Sequence, residues 1–169
     1  MPKYGSSGIG GAAAISTTGV EDVNRSFAPQ TSGTIYYAAL VRVITATSTG
    51  DYFLHLKDSG TLFRASIFVR DKGGAVQFGL GVTSSLNVSS SVPFNYDTTY
   101  LVVAKYRNEA TPSAALYVMT APVPVEPAVP LLSATGGSTV SVQAIAIRQG
   151  AQNQRPAVII DGIRVATTW

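Results

Sequence analysis

The stretch FRASIFVRDKGGAVQFGLGV, residues 63–82, decides the fold class of this chain. In its first half one face is apolar: Phe63, Ala65, Ile67 and Val69. The intervening residues are Arg64, Ser66, Phe68 and Arg70. The segment Asp71-Lys72-Gly73-Gly74 then supplies residues that tolerate positive φ, and Val76, Phe78, Leu80 and Val82 resume the apolar face. Because side chains alternate between the two faces of a strand, this pattern predicts a β-hairpin with one buried face.

Period-two alternation also governs the rest of the chain, and helical spacing is hard to find. Further strands are predicted at 35–45, 51–57, 99–107, 114–119, 139–148 and 157–166. The proline-rich segment 121–130 predicts a long crossover loop, because each proline removes a ladder donor. Many antiparallel strands without helical connections predict an all-β fold, an antiparallel two-sheet β-sandwich or jelly roll. Residues 20–169 would form this single domain, with 1–19 as an N-terminal extension or first edge strand.

Composition narrows the functional classes. Charged residues make up 12% of the 169 residues, against about 25% in an average soluble domain. The net charge is +3 and the basic residues form no run, so nucleic acid is not expected as a partner. The charge-free stretches are interrupted by polar residues or proline, so no membrane span is expected. An export signal, if the protein has one, would lie upstream of residue 1.

The residues offer little for catalysis. There are nine Asp and Glu residues, and the strand interiors lack the paired carboxylates that glycosidases use. The only histidine is His55, there is no cysteine, and no Gly-x-Ser-x-Gly elbow occurs. We therefore expect a protein that is not an enzyme.

Calcium is the only metal that the residues favour, because oxygen ligands can include backbone carbonyls. The predicted site lies at Asp161, with Asp22 or Glu21 as further ligands. The alternative is that Asp161 pairs with an arginine such as Arg25 or accepts backbone N–H bonds.

Three strand motifs resemble one known family. They are TTYLVVAKY at 98–106, ALYV at 115–118 and IDGIRV at 160–165. Their order is similar to the closing strands of concanavalin A-like, laminin G-like β-sandwich modules of secreted multidomain bacterial proteins. The resemblance implies an exported jelly roll attached to other domains, and in many members carbohydrate binding with or without structural calcium. The paired carboxylates of the enzymatic branches and the dense Asp/Asn loop of the calcium-dependent lectins are missing here.

The leading hypothesis is a non-catalytic carbohydrate-binding or adhesion module of an exported bacterial protein, located outside the cell. Its partners would be a polysaccharide or surface glycan and the neighbouring domains of a larger chain. A structural or spacer sandwich without a small ligand is the alternative, and a glycan-cleaving enzyme comes third.

The predicted ligand surface is the polar face of strands 35–45, 51–57 and 63–70, if these are neighbours in one sheet. The residues expected on it are Tyr36, Arg42, Phe53, His55, Arg64, Phe68 and Tyr117. The competing interpretation is that the aromatic residues form a second buried layer under the loop 121–130.

Overall fold

A computed structural model describes all of residues 1–169. It contains twelve β-strands and no helix. Their bounds are β1 Ala13–Ile15, β2 Val23–Gln30, β3 Gly33–Thr45, β4 Asp51–Lys57, β5 Phe63–Asp71, β6 Val76–Gly81, β7 Val88–Ser89, β8 Thr99–Asn108, β9 Ser113–Met119, β10 Leu132–Thr135, β11 Val142–Ile147 and β12 Ala157–Ala166. No helix is present that could cross a membrane.

The strands form two antiparallel sheets of six strands each. The first sheet has the order β1-β12-β3-β8-β9-β10, and the second has the order β2-β11-β4-β5-β6-β7. The predicted all-β, two-sheet sandwich is confirmed. Within the segment 1–19 the structure places β1, an edge strand of the first sheet that pairs with β12.

The hairpin of residues 63–82 is confirmed as β5 and β6. Ile67 pairs with Leu80 and Arg70 with Gln77. Gly73 and Gly74 form the turn at φ of 66° and 83°, a conformation that strains any residue with a Cβ. Two further glycines, Gly79 and Gly81, lie close to Phe68. A Cβ at position 79 would stand 3.1 Å from the Cβ of Phe68, and a Cβ at position 81 would stand 3.1 Å from its ring.

The sheets enclose one core of 27 buried residues. Tyr37 crosses this core, and its hydroxyl donates to the backbone carbonyls of Ala65 and Leu54 in the opposite sheet. At one end, Asn108 donates to the carbonyl of Val140 at 2.7 Å. These bonds satisfy polar groups that would otherwise be costly inside the sandwich.

Two predicted outward residues point inward, because bulges break the alternation. The register shifts between Tyr52 and Leu54, and Phe53 is fully buried in the core rather than on the polar face. Ala65 has a φ of 48°, and the preceding Arg64 is 3% exposed. A bulge inserts an extra residue and reverses the facing of its neighbours, which a period-two count does not detect.

The expectation that three neighbouring strands present the ligand face is also wrong. β3 lies in the first sheet, whereas β4 and β5 lie in the second. Tyr36 and Arg42 are therefore on a different sheet from His55 and Phe68.

The outer face of the first sheet is itself partly covered. A small second cluster contains Leu40, Leu101, Val103 and Tyr117, packed against Met1, Tyr4, Tyr36, Ala38, Ala115, Met119 and Trp169. Both chain termini thus fold onto this face.

We expect Arg64→Ala to destabilise the fold. The Arg64 guanidinium donates to the Ser138 carbonyl at 3.1 and 2.8 Å and to the Phe63 carbonyl at 2.7 Å. Its removal deletes the hydrogen bonds of a buried guanidinium to partly buried carbonyls, at a cost of about 1–3 kcal/mol in the free energy of unfolding. Arg42→Ala, at an exposed position, should change this free energy by less than about 0.5 kcal/mol. Chemical denaturation measures both, and equal effects would contradict the inward placement of Arg64.

Candidate functional site

The proline-rich loop is fixed to the first sheet by one carboxylate. Glu126 accepts hydrogen bonds from the Tyr36 hydroxyl at 2.7 Å, from the Tyr117 hydroxyl, and from Lys105 Nζ at 2.8 Å. These three donors stand side by side on β3, β8 and β9, where Tyr36 pairs with Lys105 and Val103 pairs with Tyr117. The sheet therefore presents a ready set of donors, and the loop supplies the acceptor.

This arrangement favours the ionised form of Glu126. Burial would raise the pKa of its carboxyl, but the hydrogen bonds from Lys105, Tyr117 and Tyr36 outweigh burial, so that the pKa is lowered. Burial and the bond to Glu126 raise the pKa of Tyr117, which keeps its hydroxyl protonated as a donor. The cluster is thus a charged acceptor surrounded by stable donors, the stronger class of hydrogen bond.

Trp169, the only tryptophan, completes the cover of this face. Its ring makes edge contacts with Tyr117 at 5.0 Å and Tyr36 at 6.0 Å between ring centroids. Its indole N–H donates to the Val123 carbonyl at 3.1 Å. The tryptophan therefore joins the loop to the two tyrosines that hold Glu126.

An open cleft of about 390 Å³ lies between this cover and the N-terminal segment. Ala38, Leu101 and Val103 form its apolar floor on the sheet. The loop side is lined by Tyr36, Met119, Pro122, Val123, Pro124 and Trp169. The opposite side is lined by Lys3, Tyr4, Gly5 and Arg164. The cleft thus combines aromatic walls, an apolar floor and a cationic rim.

A second cleft of about 460 Å³ adjoins it across the Glu126 cluster. Tyr117, Lys105 and Arg107 contribute to its lining, together with small residues such as Ser133. Its two cations are already paired, Lys105 with Glu126 at 2.8 Å and Arg107 with Glu109 at 3.1 Å. This cleft is more polar and carries little free charge.

The outer face of the second sheet carries a separate aromatic cluster. His55 packs against Phe63 and Tyr52, with ring centroids 4.3 Å and 5.4 Å away, and Phe68 packs against Tyr52 at 5.2 Å. The guanidinium of Arg148 lies 4.2 Å from the Tyr52 ring centre and pairs with Asp51 at 2.8 Å. The rings of this cluster pack against one another.

His55 is buried at 2% exposure, and neither ring nitrogen has a hydrogen-bond partner. Burial, reinforced by the positive charges of Arg148 and Lys57, lowers the pKa of His55 to about 3. The imidazole is therefore neutral at neutral pH and behaves as an aromatic packing residue.

The predicted metal ligands lie apart from both clusters. The Asp22 carboxylate accepts a hydrogen bond from the Gln149 backbone N–H at 2.9 Å. The Asp161 carboxylate accepts a long one, 3.5 Å, from the Gly8 backbone N–H. Asp161 has no ion-pair partner, and no group of three or more Asp, Glu, His or Cys side chains is arranged to hold a metal ion. Any calcium site there would need mostly backbone carbonyls, and the Gly162 carbonyl already accepts from Tyr4 at 2.6 Å.

The structure therefore divides the seven predicted ligand residues among four places. Tyr36 and Tyr117 meet at Glu126, while His55 and Phe68 belong to the aromatic cluster of the second sheet. Arg42 is exposed on β3, and Phe53 and Arg64 are internal. Sequence reasoning missed Glu126 and Trp169, although a lone carboxylate among prolines and the only tryptophan were visible signals.

The fold is a two-sheet jelly-roll β-sandwich, which solved structures of several other proteins share. A heptameric SAP-like pentraxin from Limulus polyphemus has a TM-score of 0.62 at 11% identity, covering 90% of this chain and 72% of its own. The CBM2 module of the evolved Dit of Lactobacillus casei BL23 phage J-1 has a TM-score of 0.55 at 13% identity, with coverage of 85% and 67%. The Emp47p carbohydrate recognition domain has a TM-score of 0.55 at 8% identity, and the match covers 98% of this chain and 87% of that domain.

Similarity at these identities establishes the fold alone. No protein-family model and no curated protein matches the sequence. The resemblance that the strand motifs suggested is thus confirmed for the sandwich fold.

The low pKa of His55 predicts a pH-dependent stability. The unfolded chain protonates His55 near pH 6.5, whereas the folded chain does so only at about pH 3. Between these values the unfolded state binds more protons, so the free energy of unfolding falls as pH falls, by up to about 1.4 kcal/mol per pH unit. His55→Phe should therefore flatten this dependence between about pH 6.5 and 5, where most carboxylates stay ionised. Parallel curves for the two proteins in denaturation experiments would contradict the buried, neutral histidine.

Proposed function

We propose that the protein is a non-catalytic carbohydrate-binding or adhesion module, and that its glycan binds in the cleft on the first sheet. The ligand is a polysaccharide or a surface glycan. The cleft itself is the observation that carries the proposal.

The cleft suits a sugar in three respects. Pyranose rings have apolar C–H faces that stack on aromatic rings, and Trp169, Tyr36 and Tyr4 line the cleft. Its floor belongs to strands of a six-stranded sheet, so that the walls rest on a rigid support. Its open shape leaves room for a polymer that continues beyond the cleft.

Two of the proteins with similar structures support the proposal of carbohydrate binding. Emp47p contributes a carbohydrate recognition domain, and the phage protein contributes a CBM2 module that is part of a larger Dit protein. We extend the binding of carbohydrate, and the attachment to neighbouring domains, to this chain as proposals.

The cellular context is likewise a proposal. The resemblance to modules of secreted bacterial proteins and the surface rich in hydroxyl groups support an exported bacterial protein that acts outside the cell. Structural calcium at Asp161 or Asp22 is proposed on the resemblance and on the single carboxylates available there. Different melting midpoints with calcium and with excess chelator would support it, and equal midpoints would favour the hydrogen-bonded alternative.

A spacer role has one specific observation in its favour. A cleft of about 380 Å³ at the edge between the sheets is lined by Phe27, Ile147, Ile163 and Val165, and beside them Val23 is 53% exposed. Such an apolar edge suits contact with a neighbouring domain. The spacer hypothesis predicts that no polysaccharide binds.

The test is binding of the whole chain to a panel of soluble polysaccharides by affinity electrophoresis and calorimetry. Trp169→Ala should weaken binding of any polymer found by about 3- to 10-fold, the loss of one aromatic contact, and Trp169→Phe should retain part of it. Leu86→Ala, at an exposed apolar position in the connection between β6 and β7 of the other sheet, is the matched control.

Three outcomes would contradict the proposal. Failure of every polysaccharide to bind would favour the spacer role. Loss of binding in Phe68→Ala but not in Trp169→Ala would place the ligand on the second sheet. Release of reducing sugar by the parent protein would make it an enzyme.

A further inference from the structure

We infer that the ligand of the first-sheet cleft is an acidic polysaccharide, whose carboxylate or sulfate group is bound by Arg164 and Lys3. This inference rests on the proposed function and specifies the class of glycan.

Arg164 is held in position at the rim of the cleft. Its Nε donates to the Ser6 hydroxyl at 2.6 Å, and its guanidinium carbon lies 5.7 Å from the centre of the Tyr4 ring. Gly5 allows this approach, because a Cβ there would stand 3.1 Å from Nη2. The two terminal nitrogens have no acceptor in the chain, so the guanidinium is oriented but still has donors to offer.

The cleft contains no acidic group to neutralise these cations. None of its 16 lining residues is Asp or Glu. The chain has three ion pairs, and neither Lys3 nor Arg164 takes part in any of them. Asp161 is the one acidic residue of β12, the strand that carries Arg164, and it lines a different surface hollow together with Ser6 and Ile9. No acidic side chain therefore pairs with the two cations, and the nearby charge of Asp161 is felt at Tyr4, where burial and this charge raise the pKa of the hydroxyl.

The adjoining cleft provides an internal contrast. Its cations, Lys105 and Arg107, are each paired with a glutamate of this chain. Two clefts on the same sheet face thus differ in their free charge, and the one with the aromatic walls keeps its cations available. Cations left unpaired beside low-dielectric walls attract anionic ligands to that location.

The geometry of the guanidinium matches the proposed group. Its planar donors can bind two oxygens of a carboxylate or a sulfate at once, which a hydroxyl of a neutral sugar does not offer. The sugar ring would stack on the aromatic wall while its acidic substituent reaches the rim. Uronic acid and sulfated sugar share this chemistry, and the experiment separates them.

The test compares matched polymers that differ only in charge. Polygalacturonate is paired with its carboxyl-reduced form, and dextran sulfate with dextran, in calorimetric titrations of the full chain. We expect at least one acidic polymer to bind about tenfold or more tightly than its neutral partner, the scale of one charge-assisted hydrogen bond. The polymer pair that shows the difference identifies carboxylate or sulfate.

Two variants and a control locate the charge. Arg164→Gln and Lys3→Gln should each remove most of the preference for the acidic polymer, measured as the ratio of its affinity to that of its neutral partner. Lys3 donates no hydrogen bond within the chain, so Lys3→Gln tests the charge even if Arg164→Gln disturbs the N-terminal segment. Lys72→Gln, in the exposed β5–β6 turn, removes the same charge far from the cleft and should retain the preference.

The binding data distinguish failure of the acidic-ligand inference from failure of the proposed carbohydrate-binding function. Equal affinity for acidic and neutral partners, lost in Trp169→Ala, would overturn the acidic ligand and keep the proposed function. An equal loss in Lys72→Gln and Arg164→Gln would reduce the effect to general attraction by net charge and overturn the inference. If no polymer of either kind binds, the proposed function fails together with the inference.

Discussion

The carboxylate of Glu126 is the contact on which the candidate site depends. A loop rich in proline has few backbone donors, so it gains little from hydrogen bonds to a sheet edge. Glu126 replaces such pairing with a charged acceptor placed among the donors of Tyr36, Tyr117 and Lys105. The Lys105 and Glu126 side chains are both 23% exposed, which limits screening of the pair by solvent. One side chain thereby anchors a loop that the backbone alone would leave loosely attached.

The two sheet faces show how similar residues serve different purposes. On the second sheet, Tyr52, Phe63 and Phe68 pack around a neutral His55, and the cluster closes on itself. On the first sheet, Trp169 packs edge-on against Tyr36 and Tyr117, and a cleft opens between this group and Tyr4 of the N-terminal segment. Aromatic residues on an outer strand face thus form either a second packing layer or one wall of an open cleft, depending on the segments that cover them.

Most of the fold followed from local sequence. Alternation located eight of the twelve strands, because side-chain facing depends only on near neighbours. It did not reveal β1, β7 or β10, which have two to four residues and are too short for a period to be detected. The edge strand β2 was missed because six of its eight residues are exposed and it carries Pro29, so no apolar face marks it.

The site was less accessible to such reasoning. Assignment of a strand to one sheet or the other depends on crossovers and not on pattern, so Tyr36 and His55 were expected on one face and lie on two. Bulges beside Phe53 and Arg64 reversed their facing. Tyr36 and Tyr117 were correctly expected to lie on one face, but their partner Glu126 is 90 positions from Tyr36, and nothing in the loop sequence specifies that contact.

The most direct test of this account is the environment of Trp169 when Glu126 is changed to Gln. Because Trp169 is the only tryptophan, its fluorescence reports on the cover of the cleft alone. The account predicts that Glu126→Gln shifts the emission of Trp169 to longer wavelength and increases its quenching by acrylamide, while far-UV circular dichroism stays that of the parent. Glu109→Gln, which breaks an ion pair with about half of each side chain exposed, should leave both signals unchanged. Emission and quenching in Glu126→Gln identical to those of the parent would contradict the claim that Glu126 holds the loop and tryptophan over the sheet.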